Sequence, residues 1–295
     1  MQRRLLLWAA LLLLFSAPAL SGAKPTPGRI EVFRFKSAVF KNTRLVHVWL
    51  PPEYEEPAHV SDRYPVLYMN DGQFALHNPP PTGRRGDWRA DETAAKLMAN
   101  GKIEPVIIVA IDNGGSERAR EYLPVMDEYY QPPLGEVHGE HYPEMLFDEL
   151  MPLINERFRT RTDANGTALC GSSYGAVAAL YTVVARPGKI GRLLLESPSL
   201  YVGNEWLLEK AKKVEDWPGR IYVGIGTAEM PGDKDGSQEA VSDVLRLEEI
   251  IRAAGVAKSR IKINVEQGAT HNDEAWAGRF ATALTFLFAK AKPEH

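Results

Sequence analysis

From residue 64 onward the chain alternates between short apolar runs and longer stretches of helical periodicity. Residues 65–69, 105–111, 167–170, 191–195, 221–225 and 261–265 are short, largely apolar runs, the pattern of strands buried in a mostly parallel sheet. Between them lie helix-like stretches at 88–100, closed by Gly101, and at 143–159, with Pro143 in the first turn. Further helices are predicted over 206–213, 237–254 and 274–291, and Pro152 predicts a kink in the 143–159 helix. Alternation of this kind calls for an α/β architecture, a mostly parallel sheet with helices on both faces. Residues 30–36 and 43–50 instead alternate apolar and polar, which predicts two antiparallel strands at a sheet edge, joined through Lys41 and Asn42. Residues 75–87 read as a surface loop and 112–131 as a long irregular excursion.

The first residues follow a different pattern. Arg3 and Arg4 precede an apolar run over 5–15, and small residues lead to Ala23. A basic start, a core too short to span a membrane comfortably and a small-residue exit predict a cleavable signal peptide over 1–23 and a periplasmic or secreted protein. Residues 24–29 then read as a linker and 30–293 as one domain, since α/β domains of this length are common. Loss of the leader takes the formal charge from −3 to −5. A mildly acidic chain with no basic cluster argues against nucleic acid as a partner, and no second long apolar run suggests a membrane partner after cleavage. Oligomeric state is not legible. The lone cysteine, Cys170, excludes an internal disulfide and is expected as a small buried hydrophobe.

The candidate chemistry centres on Gly171-Ser172-Ser173-Tyr174-Gly175. A short apolar run precedes this G-x-S-x-G stretch and a small apolar helix follows it, the setting of a nucleophile elbow. There a sharp turn lifts Ser173 to the top of the sheet, and glycines at 171 and 175 remove the clashes that side chains would cause. The N–H of Tyr174 would face the oxygen on which negative charge develops. A serine hydroxyl needs a base, and on this fold the chain order is serine, acid, histidine. Only His271 and the terminal His295 follow Ser173, so His271 is the candidate base. Glu229, the first carboxylate beyond the 221–225 strand, is the candidate acid, with Asp233, Asp235 and Glu196 as alternatives. A second oxyanion N–H is expected from Gln73, with Gly72 permitting the turn. His138 and His141 lack the spacing of a helical zinc pair, and no metal, phosphate loop or dinucleotide cofactor is predicted.

These landmarks resemble the putative-esterase family of α/β-hydrolases, which includes esterase D, feruloyl and acetylxylan esterases and the enterochelin esterases. The resemblance covers roughly residues 30–290 and rests on Leu67-Tyr68-Met69-Asn70-Asp71-Gly72-Gln73, on Arg118 with Glu121-Tyr122-Leu123-Pro124, and on Phe147-Asp148-Glu149-Leu150-Met151-Pro152. It continues through the elbow, Ser197-Pro198-Ser199-Leu200, Gly226-Thr227-Ala228-Glu229, and His271 with Trp276. The resemblance implies serine ester hydrolysis through an acyl-enzyme, without a cofactor, on a siderophore, feruloyl or esterified-carbohydrate substrate. Ala176, where many members carry a second glycine, and Glu229, where relatives often have Asp, depart from the pattern. Acyl transfer on the same scaffold and a non-catalytic binding protein are the alternatives. Trp88, Tyr122 and Trp276 are candidate substrate contacts, with Tyr129, Tyr130, Tyr174 and Tyr201 as further aromatic wall, and Arg118 with Glu121 as a structural ion pair.

Overall fold

The computed structural model describes residues 28–77 and 88–290; the expected leader and most of the expected 75–87 loop lie outside the described residues. Eight strands form one sheet in the order β1-β2-β4-β3-β5-β6-β7-β8. β1 (Arg29–Lys36) pairs antiparallel with β2 (Thr43–Leu50), and β2 pairs antiparallel with β4 (Ile107–Ile111), as the alternating N-terminal pattern predicts. The remaining strands, β3 (Val66–Met69), β5 (Thr167–Ser172), β6 (Arg192–Glu196), β7 (Arg220–Gly226) and β8 (Ile261–Glu266), are all parallel to their neighbours. The loops after β3, β5, β6, β7 and β8 therefore emerge at one edge, where α/β sheets carry their sites.

The two-residue strand repeat sorts the apolar runs onto two faces. Ile107, Val109, Ile111, Leu169, Leu193, Leu195 and Val223 pack beneath helices that include α5 (Tyr174–Ala185) and α7 (Lys234–Ala253). Ile108, Ala110, Ala168, Cys170, Leu194 and Tyr222 pack against α1 (Ala90–Ala99) and α8 (Asp273–Phe288). Cys170 is a free, buried thiol whose pKa is pushed up by that burial. Among the described residues no helix is long and apolar enough to cross a membrane.

Three elements depart from the sequence reading. The 112–131 excursion contains a short helix, α2 (Arg118–Tyr122). The predicted helix over 143–159 is built in three pieces: α3 (Tyr142–Glu144), a π-helical segment Met145–Leu150, and α4 (Met151–Arg157). Pro152 has no N–H to give and its ring would meet the carbonyl of residue 148, so the wider preceding turn takes the place of a sharp kink. Finally, α6 (Val202–Ala211) starts before the predicted 206, and Gly203, Asn204 and Glu205 near its start are left-handed, with φ of 61°, 56° and 62°.

Candidate active site

Ser173 stands between the end of β5 and the start of α5 with φ 55° and ψ −126°, a backbone conformation that side chains other than glycine rarely adopt. Its N–H donates to the Glu196 carbonyl on β6 at 2.9 Å, which fixes the turn from the neighbouring strand. Glycine is required on both sides of it. A Cβ on Gly171 would lie 2.0 Å from the Gly175 carbonyl oxygen, and one on Gly175 would lie 2.9 Å from Asp71 Oδ2.

His271 and Glu229 meet as the chain order suggested. His271 Nδ1 lies 2.7 Å from Glu229 Oε2, and the carboxylate is buried while the imidazole keeps about a third of its surface. Glu229 Oε1 accepts from the Gly226 N–H at 2.6 Å and the Ser197 hydroxyl at 2.8 Å. Ser197 in turn accepts from Trp276 Nε1 at 2.9 Å, and the Trp276 ring meets the His271 ring edge-on at 5.1 Å. Burial pushes the Glu229 carboxyl up, but the bonds from His271, Gly226 and Ser197 outweigh it and hold the pKa below the ordinary carboxylate value. Of the alternative acids, Asp233 caps α7 by accepting from the Gly236 N–H at 2.9 Å, and Glu196 is fully buried against Arg279 at 2.7 Å. Neither reaches His271 among the described contacts.

The Ser173 hydroxyl is not yet joined to this pair. Its neighbour at hydrogen-bond range is the Ser199 hydroxyl at 3.5 Å, and no hydrogen bond links it to His271. Such bonds commonly tighten only when substrate is present.

The 70–73 loop after β3 packs directly on the elbow. Asn70 Nδ2 donates to the Gly175 carbonyl at 2.8 Å and the Tyr142 hydroxyl donates to Asn70 Oδ1. The sequence reading gave the turn to Gly72, but Asp71 takes the left-handed conformation, with φ 57°. Gly72 is needed for a different reason: a Cβ there would lie 2.4 Å from the β4 backbone at Ala110. Gln73 and Tyr174 both lie in the first turn of a helix, where backbone N–H groups have no intrahelical acceptor. Gln73 also accepts from the Asn113 N–H through its side chain.

Arg118 does not pair with Glu121. It grips Asp71, Nε to Oδ1 at 2.6 Å and Nη2 to Oδ2 at 2.9 Å, while its guanidinium lies 5.3 Å from the Tyr122 ring and 5.9 Å from that of Tyr174. Glu121 points the other way and bonds Arg44 at 2.7 Å in a buried pair. The helix α2 presents residues 118 and 121 to different neighbours, a placement that their spacing alone does not give. Replacing Arg118 with Leu leaves the largely buried Asp71 carboxylate without its cation. We expect a loss of about 1–3 kcal/mol, scaled down because Arg118 is partly exposed. A shifted urea midpoint together with a roughly tenfold or greater fall in kcat/KM would register it.

The three aromatic residues expected as substrate contacts are largely buried. Trp88, Tyr122 and Trp276 are 6%, 1% and 7% exposed. Trp88 meets Trp276 at a tilt and Phe280 edge-on and donates to Asp273 at 3.2 Å, and the Tyr122 hydroxyl accepts from the Asp71 N–H. The rings that stand outward are Tyr129 and Tyr130. They flank Tyr201 and Tyr174, whose hydroxyls both donate to the buried Asp127. Asp127 had no signal in the sequence, because it sits in the irregular excursion where no periodicity marks it.

The Ser197 bridge carries a prediction of its own. Ser197→Ala removes one of two donors to Glu229 Oε1 and leaves Trp276 Nε1 without its acceptor. Ester-cleaving kcat should fall about tenfold at unchanged fold, and the Glu229 pKa should rise towards its ordinary value. Turnover at neutral pH checks the first, and titration of the Glu229 carboxyl followed by NMR in wild type and variant checks the second.

The chain matches the family model described as "Putative esterase" over residues 37–287. It is 26% identical over 250 residues to the endo-1,4-beta-xylanase/feruloyl esterase of Xylanibacter ruminicola, covering 84% of this chain but only 30% of that protein. It is 28% identical over 181 residues to the iron(III) enterobactin esterase of Dickeya dadantii, covering 61% of this chain and 35% of that protein. Among solved structures, the BES protein of Bacillus cereus superposes with a TM-score of 0.67 at 19% identity, covering 93% of this chain and all of that one. The Shigella flexneri enterobactin esterase FES gives 0.65 at 21% identity, over 88% of this chain and 59% of its own. These structural likenesses establish the α/β-hydrolase fold.

Proposed function

The chain belongs to the putative-esterase family, a family of ester-hydrolysing enzymes, and from that premise we propose that Ser173, His271 and Glu229 form its catalytic triad. The observation that carries the proposal is the Ser173 backbone, held at φ 55° and ψ −126° on the sheet edge where Glu229 bonds His271. A strained serine is maintained only where the surrounding packing over-determines it, and strain of this kind clusters at sites of chemistry.

In the proposed cycle His271 Nε2 takes the Ser173 proton as the hydroxyl oxygen attacks the ester carbonyl. Glu229 holds Nδ1–H in place and stabilises the imidazolium. The Tyr174 and Gln73 N–H groups meet the oxyanion, with Gly72 letting the second loop come close. Collapse expels the alcohol, protonated by His271, and water then releases the acyl group by the same route. Burial of Glu229 strengthens its hold on the imidazolium.

Relatives named feruloyl esterase and enterobactin esterase support an aromatic-acid, siderophore or esterified-carbohydrate substrate. The outward Tyr129 and Tyr130 rings offer the surface for such a group. The leader-like first 23 residues support export, with residue 30 onward acting as one catalytic unit. Fluorophosphonate labelling of the folded protein, read by intact mass, tests the triad. One adduct is expected in the wild type and none in Ser173→Ala; an unlabelled wild type would remove the activated serine. Turnover with and without an added acceptor alcohol separates hydrolysis from acyl transfer.

A further inference from the structure

At the opposite edge of the sheet, where the parallel strands begin, four cations gather around a pocket of about 430 Å³: Arg161, Arg192, Arg220 and Lys290, with Glu104 as the lining carboxylate. Arg192 opens β6 and Arg220 opens β7, and the two are direct partners in the parallel register. Like charges placed directly opposite one another in a sheet are destabilising. The local acids do not cancel them. Glu104 is shared between two guanidiniums, at 2.6 Å from Arg192 Nη2 and 3.3 Å from Arg161 Nη1. Asp163, outside the pocket lining, approaches only Arg161, at 3.6 Å. Arg220 gives one N–H to the Phe286 carbonyl.

Arg192 is the most constrained of the four. Its side chain is only 13% exposed and its guanidinium lies 4.5 Å from the centre of the Phe288 ring. Its Nη1 is buried without a hydrogen-bond partner among the described residues. Burial lowers its pKa; Glu104 opposes this, and the nearby charges of Arg161 and Arg220 add to the lowering, so the net direction is down. A guanidinium with a donor still unmet is complemented in charge and hydrogen bonding by an oxyanion.

We propose that this pocket binds a phosphate or sulfate monoester. Its oxyanion sits among Arg161, Arg192, Arg220 and Lys290, and its neutral body lies against the apolar wall of Leu287 and Ala289. The site lies at the far end of β5, β6 and β7 from Ser173, so it is separate from the ester-cleaving centre and does not depend on that assignment. Binding there joins the starts of two strands that otherwise repel.

The test is calorimetric titration of the full chain with inorganic phosphate and with glycerol phosphate, at ionic strength held constant with chloride. Saturable one-to-one binding in the millimolar range or tighter is expected, stronger for the monoester, with a matching rise in Tm. Arg220→Gln should weaken both ligands about tenfold while leaving ester cleavage unchanged. Lys290→Gln, at an exposed position, serves if Arg220→Gln does not fold. Heats and Tm no different from the chloride control in the wild type would overturn the proposal. So would binding that survives both substitutions undiminished.

Discussion

Ser173→Gly yields a protein that is more stable than the wild type and catalytically silent. Ser173 pays a backbone cost because its φ of 55° and ψ of −126° belong to a region that glycine enters freely. Conformations of that kind cost about 1–3 kcal/mol for a residue with a Cβ. Glycine recovers part of this and loses part to its greater freedom in the unfolded chain, about 0.4–1 kcal/mol, so a net gain of about 1 kcal/mol is expected. Ser173→Ala keeps the Cβ and the strain, and should match the wild type closely in stability. Both variants lose the attacking oxygen, and kcat for ester cleavage should fall by ~10⁴-fold or more, the residue of activity coming from oxyanion donors and binding alone. Denaturant midpoints for the three proteins, set beside their turnover, check the argument. If alanine and glycine were equally stable, strain at the elbow would not be the cause. If either retained most of its activity, Ser173 would not be the nucleophile.

The legible and illegible parts of this protein separate on physical grounds. Strands such as Ile107–Ile111 could be read because a strand buried on both faces must be apolar throughout, and helices such as Lys234–Ala253 and Asp273–Phe288 lie within a few residues of their expected bounds. Ser173, Glu229 and His271 could be proposed together because each follows the end of a strand, and parallel strands deliver those ends to one edge. Partners held together by tertiary packing were not legible. Arg118 was matched with Glu121, which lies three residues along the chain, whereas its partner, Asp71, comes from a loop 47 residues earlier. Trp88, Tyr122 and Trp276 carry the composition of a substrate wall, yet composition does not say which way a ring faces, and all three turn inward. Gly72 was assigned correctly as a necessary glycine for the wrong reason, since the close neighbour is the β4 backbone rather than the turn itself.

Glu229→Gln is expected to be nearly as damaging as loss of the histidine, and the reason lies in the count of donors around the carboxylate. Oε1 receives two, the Gly226 N–H and the Ser197 hydroxyl, while Oε2 receives only the His271 Nδ1 proton. An amide has one acceptor oxygen, and the two-donor side takes it. The amide NH₂ then faces His271, which can meet it only by leaving Nδ1 bare and carrying its proton on Nε2. That tautomer cannot accept the proton of Ser173. kcat should fall by about 10³–10⁴-fold with KM little changed, whereas Asp233→Asn, which touches only the cap of α7, should cost activity less than about threefold. The reverse ranking would transfer the role of acid to Asp233. The pH dependence follows from the same contacts. Because the folded pKa of Glu229 is depressed, its contribution to stability is complete above the ordinary carboxylate value and is lost only as pH falls through the lower folded value. Glu229 should therefore stay ionised through the acid range in which ordinary carboxyls take up their proton. In Glu229→Gln the acid denaturation midpoint should lose that carboxyl's share of its pH dependence, a change visible by circular dichroism without any substrate present.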